Sequence, residues 1–400
     1  MPNKLASITS ALNLFNQSDD MFFKSIQFFI SMILTAGALG QEKTISMEWK
    51  ALPLNPGANA KGDTLGIAGP LAGVHQGNVL IGGGANFPEK MPWENGKKMY
   101  YSSLSVYKLN TLTETPVSIQ LPFATAYGAS CSTPKGIVYA GGENEDGLSS
   151  KVLLLQCDEK TRKVTISYLA DLPKAITNAS LVFYEGMVYL LGGETSHGTS
   201  SGFYCLDLNS RTGQWKQLPS LPVAVSHAVT VSCDGMGNIF LIGGRAKNST
   251  GISTIYSSLF QYSIKGKSWS KKQALPYTLS AGTGIAVNNN YLLVFGGDKG
   301  ETFSQAEKLI VNIQNEKDEQ RKKDLIERKN SIQSNHPGFS NEILLYNIAH
   351  DTWTSAGLIP FETPVTTTAI KTGNQIIIPS GEIKAGVRAP RILTAEFSVK

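Results

Sequence analysis

Met187-Val-Tyr-Leu-Leu-Gly-Gly193 and Asn238-Ile-Phe-Leu-Ile-Gly-Gly244 are the same short sentence written twice, about fifty residues apart. A run of β-formers ends in a glycine pair. The same pattern occurs at Asn78-Val-Leu-Ile-Gly-Gly83, Ile137-Val-Tyr-Ala-Gly-Gly142 and Tyr291-Leu-Leu-Val-Phe-Gly-Gly297. A degraded copy, Gln375-Ile-Ile-Ile-Pro-Ser-Gly381, follows after a longer interval. Repetition at this period means a stacked array of one supersecondary unit, each copy covering a face of the next.

A second mark accompanies each copy. Trp215 precedes Leu218-Pro219, Trp269 precedes Leu275-Pro276, and Trp353 precedes Ile359-Pro360; Tyr262 and Tyr346 stand seven residues before their Trp. Gly-Gly, Tyr, then Trp at a period near fifty is the kelch pattern, one four-stranded blade of a β-propeller per repeat. The expected fold is therefore all-β, a six-bladed propeller. The glycines are expected to let each blade turn sharply at its narrow inner end, and the Trp to pack between blades. One Trp is left over: Met47-Glu-Trp49-Lys-Ala-Leu52-Pro53 has the end-of-blade pattern with no blade before it, while the last repeat has only three strand-like segments. Closure follows, with the N-terminal strand completing blade six and removing the open sheet edges. The interval from Gly297 to Gly381 is about thirty residues too long, and the charge-rich stretch from Ala306 to Gln333 reads as a helical insertion in blade five.

Composition agrees. The 39 glycines among 400 residues show no period of three, which excludes collagen and assigns them to turns. With 41% hydrophobic and 17% charged residues the chain can bury a large core. A net charge of +5 is too small to imply a nucleic-acid partner. Cys131, Cys157, Cys205 and Cys233 form no Cys-x-x-Cys pair and no spacing suited to zinc, so no metal is expected; buried free thiols are the expected state, with disulfides of undetermined pairing the alternative in an exported chain. Met21 to Gly40 has one cation, a short apolar stretch and then small residues, the order of a cleaved secretory signal. The domain reading is thus an upstream segment 1–20, arising from a misplaced start or disordered, a signal peptide at 21–40, and one propeller domain at 41–400. Export to the periplasm is expected, with no stable membrane insertion after cleavage.

Propeller geometry puts the residue after each Gly-Gly at one mouth of the central channel: Gly84, Glu143, Glu194, Arg245, Asp298 and Glu382. Two loops share that face. One is Gly82-Gly-Gly-Ala-Asn86-Phe87-Pro88 running on to Trp93, Lys97 and Lys98; the other is Gly381-Glu382-Ile-Lys384-Ala-Gly386-Val-Arg388. Such a convergence of polar groups suits a small ligand, with Glu for proton transfer and Arg for a carboxylate.

These loops, together with Gly66-Ile-Ala-Gly69-Pro-Leu-Ala-Gly73, resemble the bacterial N-acetylneuraminate epimerases, or sialic acid mutarotases, over essentially the whole chain from about residue 43. The blade order is similar to that of the cyclically permuted branch, with the Asn-Phe-Pro blade first. The resemblance implies an exported isomerase that interconverts sugar anomers with no cofactor and takes a small sugar acid. It maps the proton-transferring Glu onto Glu382 and the neighbouring Arg onto Arg388, and aligns Ala126-Tyr127-Gly128 with a strand-entrance motif. Two entrance arginines of the relatives are missing, Thr125 standing at one and the other lost near His227. The expected substrate-binding residues are Arg388, Arg245, Asn86, Lys97, Tyr127, Glu143 and Glu194, and Trp93 is a candidate apolar wall. A non-catalytic propeller binding a glycan or a protein is the alternative.

Overall fold

Every repeat folds as the antiparallel four-stranded blade its pattern predicts. The structure is a computed structural model and describes residues 45–54, 65–210 and 213–399. The expected signal peptide and the segment before it lie outside the described residues. Blade one is Ala68–His75, Asn78–Asn86, Ser103–Lys108 and Val117–Gln120; blade three is Ser180–Tyr184, Met187–Leu191, Phe203–Asp207 and Lys216–Gln217. Blade six is Ile370–Thr372, Gln375–Pro379 and Arg391–Val399, with Ile45–Pro53 as its outermost strand. The closure expected from the orphan Trp49 is present. Met47–Ser398 forms one compact unit; the other comprises Met1–Ser46 with Val399 and Lys400, of which Ile45, Ser46 and Val399 are described. Among the described residues no helix is long and apolar enough to cross a membrane.

The hydrophobic core lies between blades, because each sheet has two faces and a neighbour on each. Val229, Val231 and Phe240 of blade four meet Leu292, Leu344 and Tyr346 of blade five. Ile67, Val79 and Tyr107 of blade one meet Ile370, Ile377 and Ile392 of blade six. Each fully buried Phe or Leu of this kind contributes about 1.5–3 kcal/mol relative to exposure. The tryptophans are staples: the Trp215 indole N–H donates to Ala170 O at 2.9 Å, Trp269 to Pro219 O at 3.3 Å and Trp353 to Gln273 O at 2.9 Å, each on the preceding blade. Trp49 packs edge-on against Phe295 of blade five at 5.8 Å. All four cysteines are free thiols.

The glycine pairs do more than turn the chain. The second glycine's N–H donates to a carbonyl of the next blade: Gly142 to Ile176, Gly193 to Val225, Gly244 to Leu279 and Gly381 to Ile67, at 2.8–2.9 Å. In the first three of these the preceding glycine, Gly141, Gly192 or Gly243, lies directly against the same carbonyl, with φ between 58° and 72°. The pattern therefore encodes contact between blades as well as a bend within one.

The insertion in blade five consists of two helices, Glu301–Asn315 and Glu319–Ser334, joined to the blade through Gly300. Glu307 fastens the first helix to blade four by accepting from Ser253 N–H at 2.6 Å and Ser253 O–H at 2.8 Å.

Candidate active site

At the mouth of the channel the chain entering each blade makes one sharp step. Ala126, Thr177, Ser226, Ser280 and Val365 each form a β-bridge to the residue after Gly-Gly, namely Glu143, Glu194, Arg245, Asp298 and Glu382. The next residue, Gly69, Tyr127, Asn178, His227, Ala281 or Thr366, is left-handed, with φ between 51° and 62°. Those six residues hydrogen-bond in a closed circle. Each donates its N–H to the carbonyl of its counterpart in the preceding blade, Gly69 to Thr366 completing the loop, at 2.8–3.0 Å. Five of the six carry a side chain in a conformation that L-residues disfavour, and the closed belt is what holds them there.

The belt floors a cavity of about 390 Å³. The β-bridges point Glu143, Glu194, Arg245, Asp298 and Glu382 into its wall, so five of the six positions inferred from the repeat converge as expected. Tyr127 also lines it. Three expected binding residues do not. Asn86 is buried, its amide donating to Gly66 O and its Oδ1 accepting from Phe87 N–H, so it shapes the loop. Lys97 is exposed and pairs with Glu145 at 3.5 Å. Arg388 is buried directly across the strand pair from Glu382, its guanidinium 4.8 Å from the Phe87 ring and its Nη1 3.8 Å from Glu382 Oε1. It backs the carboxylate instead of lining the cavity. Trp93 is likewise outside the wall and packs on Gly386.

Other residues take those places. Lys98, next to the expected Lys97, reaches Glu143 Oε1 at 3.0 Å, and the Tyr100 hydroxyl donates to the same oxygen at 2.8 Å. Burial alone would draw Lys98 down, but Tyr127 and Glu143 outweigh it and its pKa is raised. The insertion supplies Phe303 from the first helix, Gln333 from the second, and His336 and Phe339 beyond. It is a wall of the site, a role its solvated charge pattern did not disclose. Among the described residues no group of three His, Cys, Asp or Glu is placed to hold a metal ion.

Glu382 is held asymmetrically. Its Oε1 accepts the Gly386 N–H at 2.6 Å and faces Arg388, while among the described residues Oε2 has no hydrogen-bond partner. Asp298 accepts from Gly300 N–H at 2.8 Å, and burial raises its carboxyl above the ordinary 3.8. His336 Nδ1 accepts from Gly338 N–H at 3.0 Å, which leaves the proton of the neutral ring on Nε2. Burial, aided by Lys384, lowers its pKa against the opposing pull of Asp298 and Glu382.

Both histidines are tuned to stay neutral, which fixes a sign for acid stability. Burial first, and Arg245 second, hold His227 well below 6.5. Below pH 6.5 the unfolded chain takes up a proton on this ring and the folded chain does not. The stability is therefore complete above that pH and is lost as pH falls toward the depressed folded value, by up to about 1.4 kcal/mol per pH unit for one proton. The melting temperature should fall between pH 6.5 and 5, and His227→Gln should flatten the slope. Asp298 acts in the opposite sense above 3.8, so the difference between the two proteins isolates the histidine. An equally steep slope in the variant would refute the assignment.

With this geometry in view, comparison with known proteins is informative. A family model described as N-acetylneuraminate epimerase matches residues 168–400. The N-acetylneuraminate epimerase of Salmonella enteritidis PT4 is 26% identical over 230 residues, covering 57% of this chain and 58% of that protein. That of Brucella melitensis biotype 1 is 27% identical over 225 residues, covering 55% and 56%. The chain thus spans a little more than half the length of the curated relatives it matches. The solved structure of YjhT superposes with a TM-score of 0.58 at 14% identity, covering 87% of this chain and 99% of that one, which is a likeness of fold.

Proposed function

We propose, from the premise that this chain belongs to the N-acetylneuraminate epimerase family, that it is an isomerase accelerating α/β anomer exchange of N-acetylneuraminate or a closely related sugar acid. The observation that carries the reading is Glu382. One oxygen of its carboxylate is held by the Gly386 N–H and faces Arg388, and among the described residues the other has no hydrogen-bond partner, at the wall of a polar cavity of a size that suits a monosaccharide.

Anomer exchange moves one proton from the anomeric hydroxyl and delivers one to the ring oxygen. The anomeric carbon–ring oxygen bond breaks to give the open-chain ketone. Rotation about the neighbouring bond presents the other carbonyl face, and the same hydroxyl adds back. Glu382 accepts the anomeric proton at Oε2 and, directly or through water, delivers it to the ring oxygen as the ring opens; on reclosure it takes the proton of that hydroxyl and gives it to the carbonyl oxygen, so the residue is unchanged after a turnover. The backbone N–H of Gly386 keeps the acceptor oriented, and the Arg388 guanidinium lies behind it, 3.8 Å from Oε1. Phe303 and Phe339 supply apolar wall on the insertion side, and Tyr127 on the belt.

The partial family match also suits the permuted blade order, since a shifted start breaks a linear alignment while leaving spatial neighbours unchanged. The Met21 to Gly40 pattern further supports export to the periplasm. Proton NMR of freshly released α-N-acetylneuraminate tests the activity. The α signal should convert to β faster with protein than without. Binding with no faster conversion would sink the isomerase reading in favour of a non-catalytic glycan-binding propeller.

A further inference from the structure

The two cations lining the cavity are not equivalent. Lys98 is already neutralised by Glu143 at 3.0 Å. Arg245 is surrounded by Glu194, Asp298, Glu307 and Glu382, yet among the described residues none comes within 4 Å to pair with it. Among the described residues its guanidinium makes one hydrogen bond, from Nη2 to His227 Nε2 at 3.1 Å, and the Phe303 ring lies 4.3 Å from its guanidinium carbon. A planar cation stacked on one side and held at one corner keeps its remaining N–H groups for a ligand.

The hold on that corner has a fixed direction. An arginine only donates, so His227 Nε2 must accept and the ring's proton lies on Nδ1. Nδ1 stands 3.0 Å from Ser226 Oγ, and the Ser226 hydroxyl donates to Glu194 Oε1 at 2.8 Å. The chain Arg245–His227–Ser226–Glu194 therefore runs donor to acceptor throughout and ends on a carboxylate. Its central members are rigid: Ser226 is bridged to Arg245 through the backbone, and His227 is locked left-handed in the belt.

We propose that Arg245 is the subsite for the substrate's carboxylate and that His227, with Ser226 and Glu194 behind it, is the positioning device that makes the site selective for sugar acids over neutral sugars. This rests on the sugar-acid reading of the cavity and deepens it, because it assigns the substrate's carboxylate to one cation of that cavity. Arg388 is buried behind Glu382 and Lys97 points to Glu145, so neither competes for the role.

Titration calorimetry of the full chain with N-acetylneuraminate and with its methyl ester tests the proposal without needing turnover. The wild type should bind the acid about thirtyfold more tightly than the ester, the ratio expected of one desolvated charge pair. Arg245→Gln should abolish the preference. His227→Leu and Ser226→Ala should reduce it, while His227→Gln, which restores an acceptor toward Arg245, should recover it; a merely structural role would not show that rescue. Should His227→Leu fail to fold by circular dichroism, Ser226→Ala carries the comparison. A preference that survives Arg245→Gln, or no binding of either ligand, overturns the assignment. Acid preference lost with Arg245 but no accelerated anomer exchange would leave the subsite standing and remove the isomerase reading; the converse pair of results would do the opposite.

Discussion

Glu382→Gln should reduce anomer equilibration to the spontaneous rate, a loss of about 10²–10⁴-fold if general acid–base transfer is the main contribution. Glutamine matches the carboxylate in shape, so its carbonyl oxygen still accepts the Gly386 N–H and the Glu382–Lys384 and Val387–Arg388 hairpin is retained. What is lost is the ability to take and return a proton. Some stability should go too, because among the described residues the Nε and Nη1 of buried Arg388 have no hydrogen-bond partner, and Arg388 would lose its nearby opposite charge. Activity is therefore to be compared well below the variant's melting transition, with circular dichroism confirming a native spectrum. An unchanged rate in a folded Glu382→Gln protein would show that the proton is carried elsewhere. Asp298 and Glu194 are then the next acids to replace, since both line the same cavity.

The architecture was readable from the chain because it repeats. A glycine pair, a tyrosine and a tryptophan recurring about every fifty residues fix strand order, blade number and the place of Trp49, and they predict which residues ring the mouth. Every such inference is about backbone position, which the repeat dictates. Side-chain reach is not dictated in the same way. Lys97 and Lys98 are neighbours, and only the path of the chain into the short Met99–Tyr100 strand decides that Lys98 turns to Glu143 while Lys97 turns to Glu145. Arg388 belongs to the right hairpin and pairs directly opposite Glu382, but Phe87 takes its guanidinium behind the carboxylate. The insertion breaks the repeat altogether. Its helices show alternating charge to the solvent, and the residues that matter to the cavity, Phe303 and His336, have no repeat equivalents to announce them. A local sign did exist in the entrance dipeptides, whose second members, from Tyr127 to Thr366, form the hydrogen-bonded belt; their common feature is a backbone angle, which residue identity conceals everywhere except at Gly69.

Gly192→Ala should be among the most damaging single-methyl additions in the propeller. Gly192 has φ +62°, and a Cβ built there would lie 2.1 Å from Val225 O, the carbonyl that accepts the Gly193 N–H at 2.8 Å. The left-handed conformation alone costs an alanine about 1–2 kcal/mol. Relieving the overlap requires blades three and four to separate, which breaks that hydrogen bond and loosens the contacts between their faces, where Tyr189, Leu191, Phe203, Ile239 and Tyr262 pack together. Gly373 provides the control: its φ is +55°, and among the described residues nothing lies within 4 Å of a Cβ built on it. Gly373→Ala should therefore shift the denaturation midpoint by no more than the conformational cost, whereas Gly192→Ala should lose at least about 3–5 kcal/mol, an overpacking penalty larger than usual because the obstructing atom is backbone. Guanidinium titrations of the two variants beside the wild type measure the contrast. Equal losses would mean that the glycine pairs serve only the bend of the chain, as the sequence pattern first suggests, and that the contact between blades does not require them.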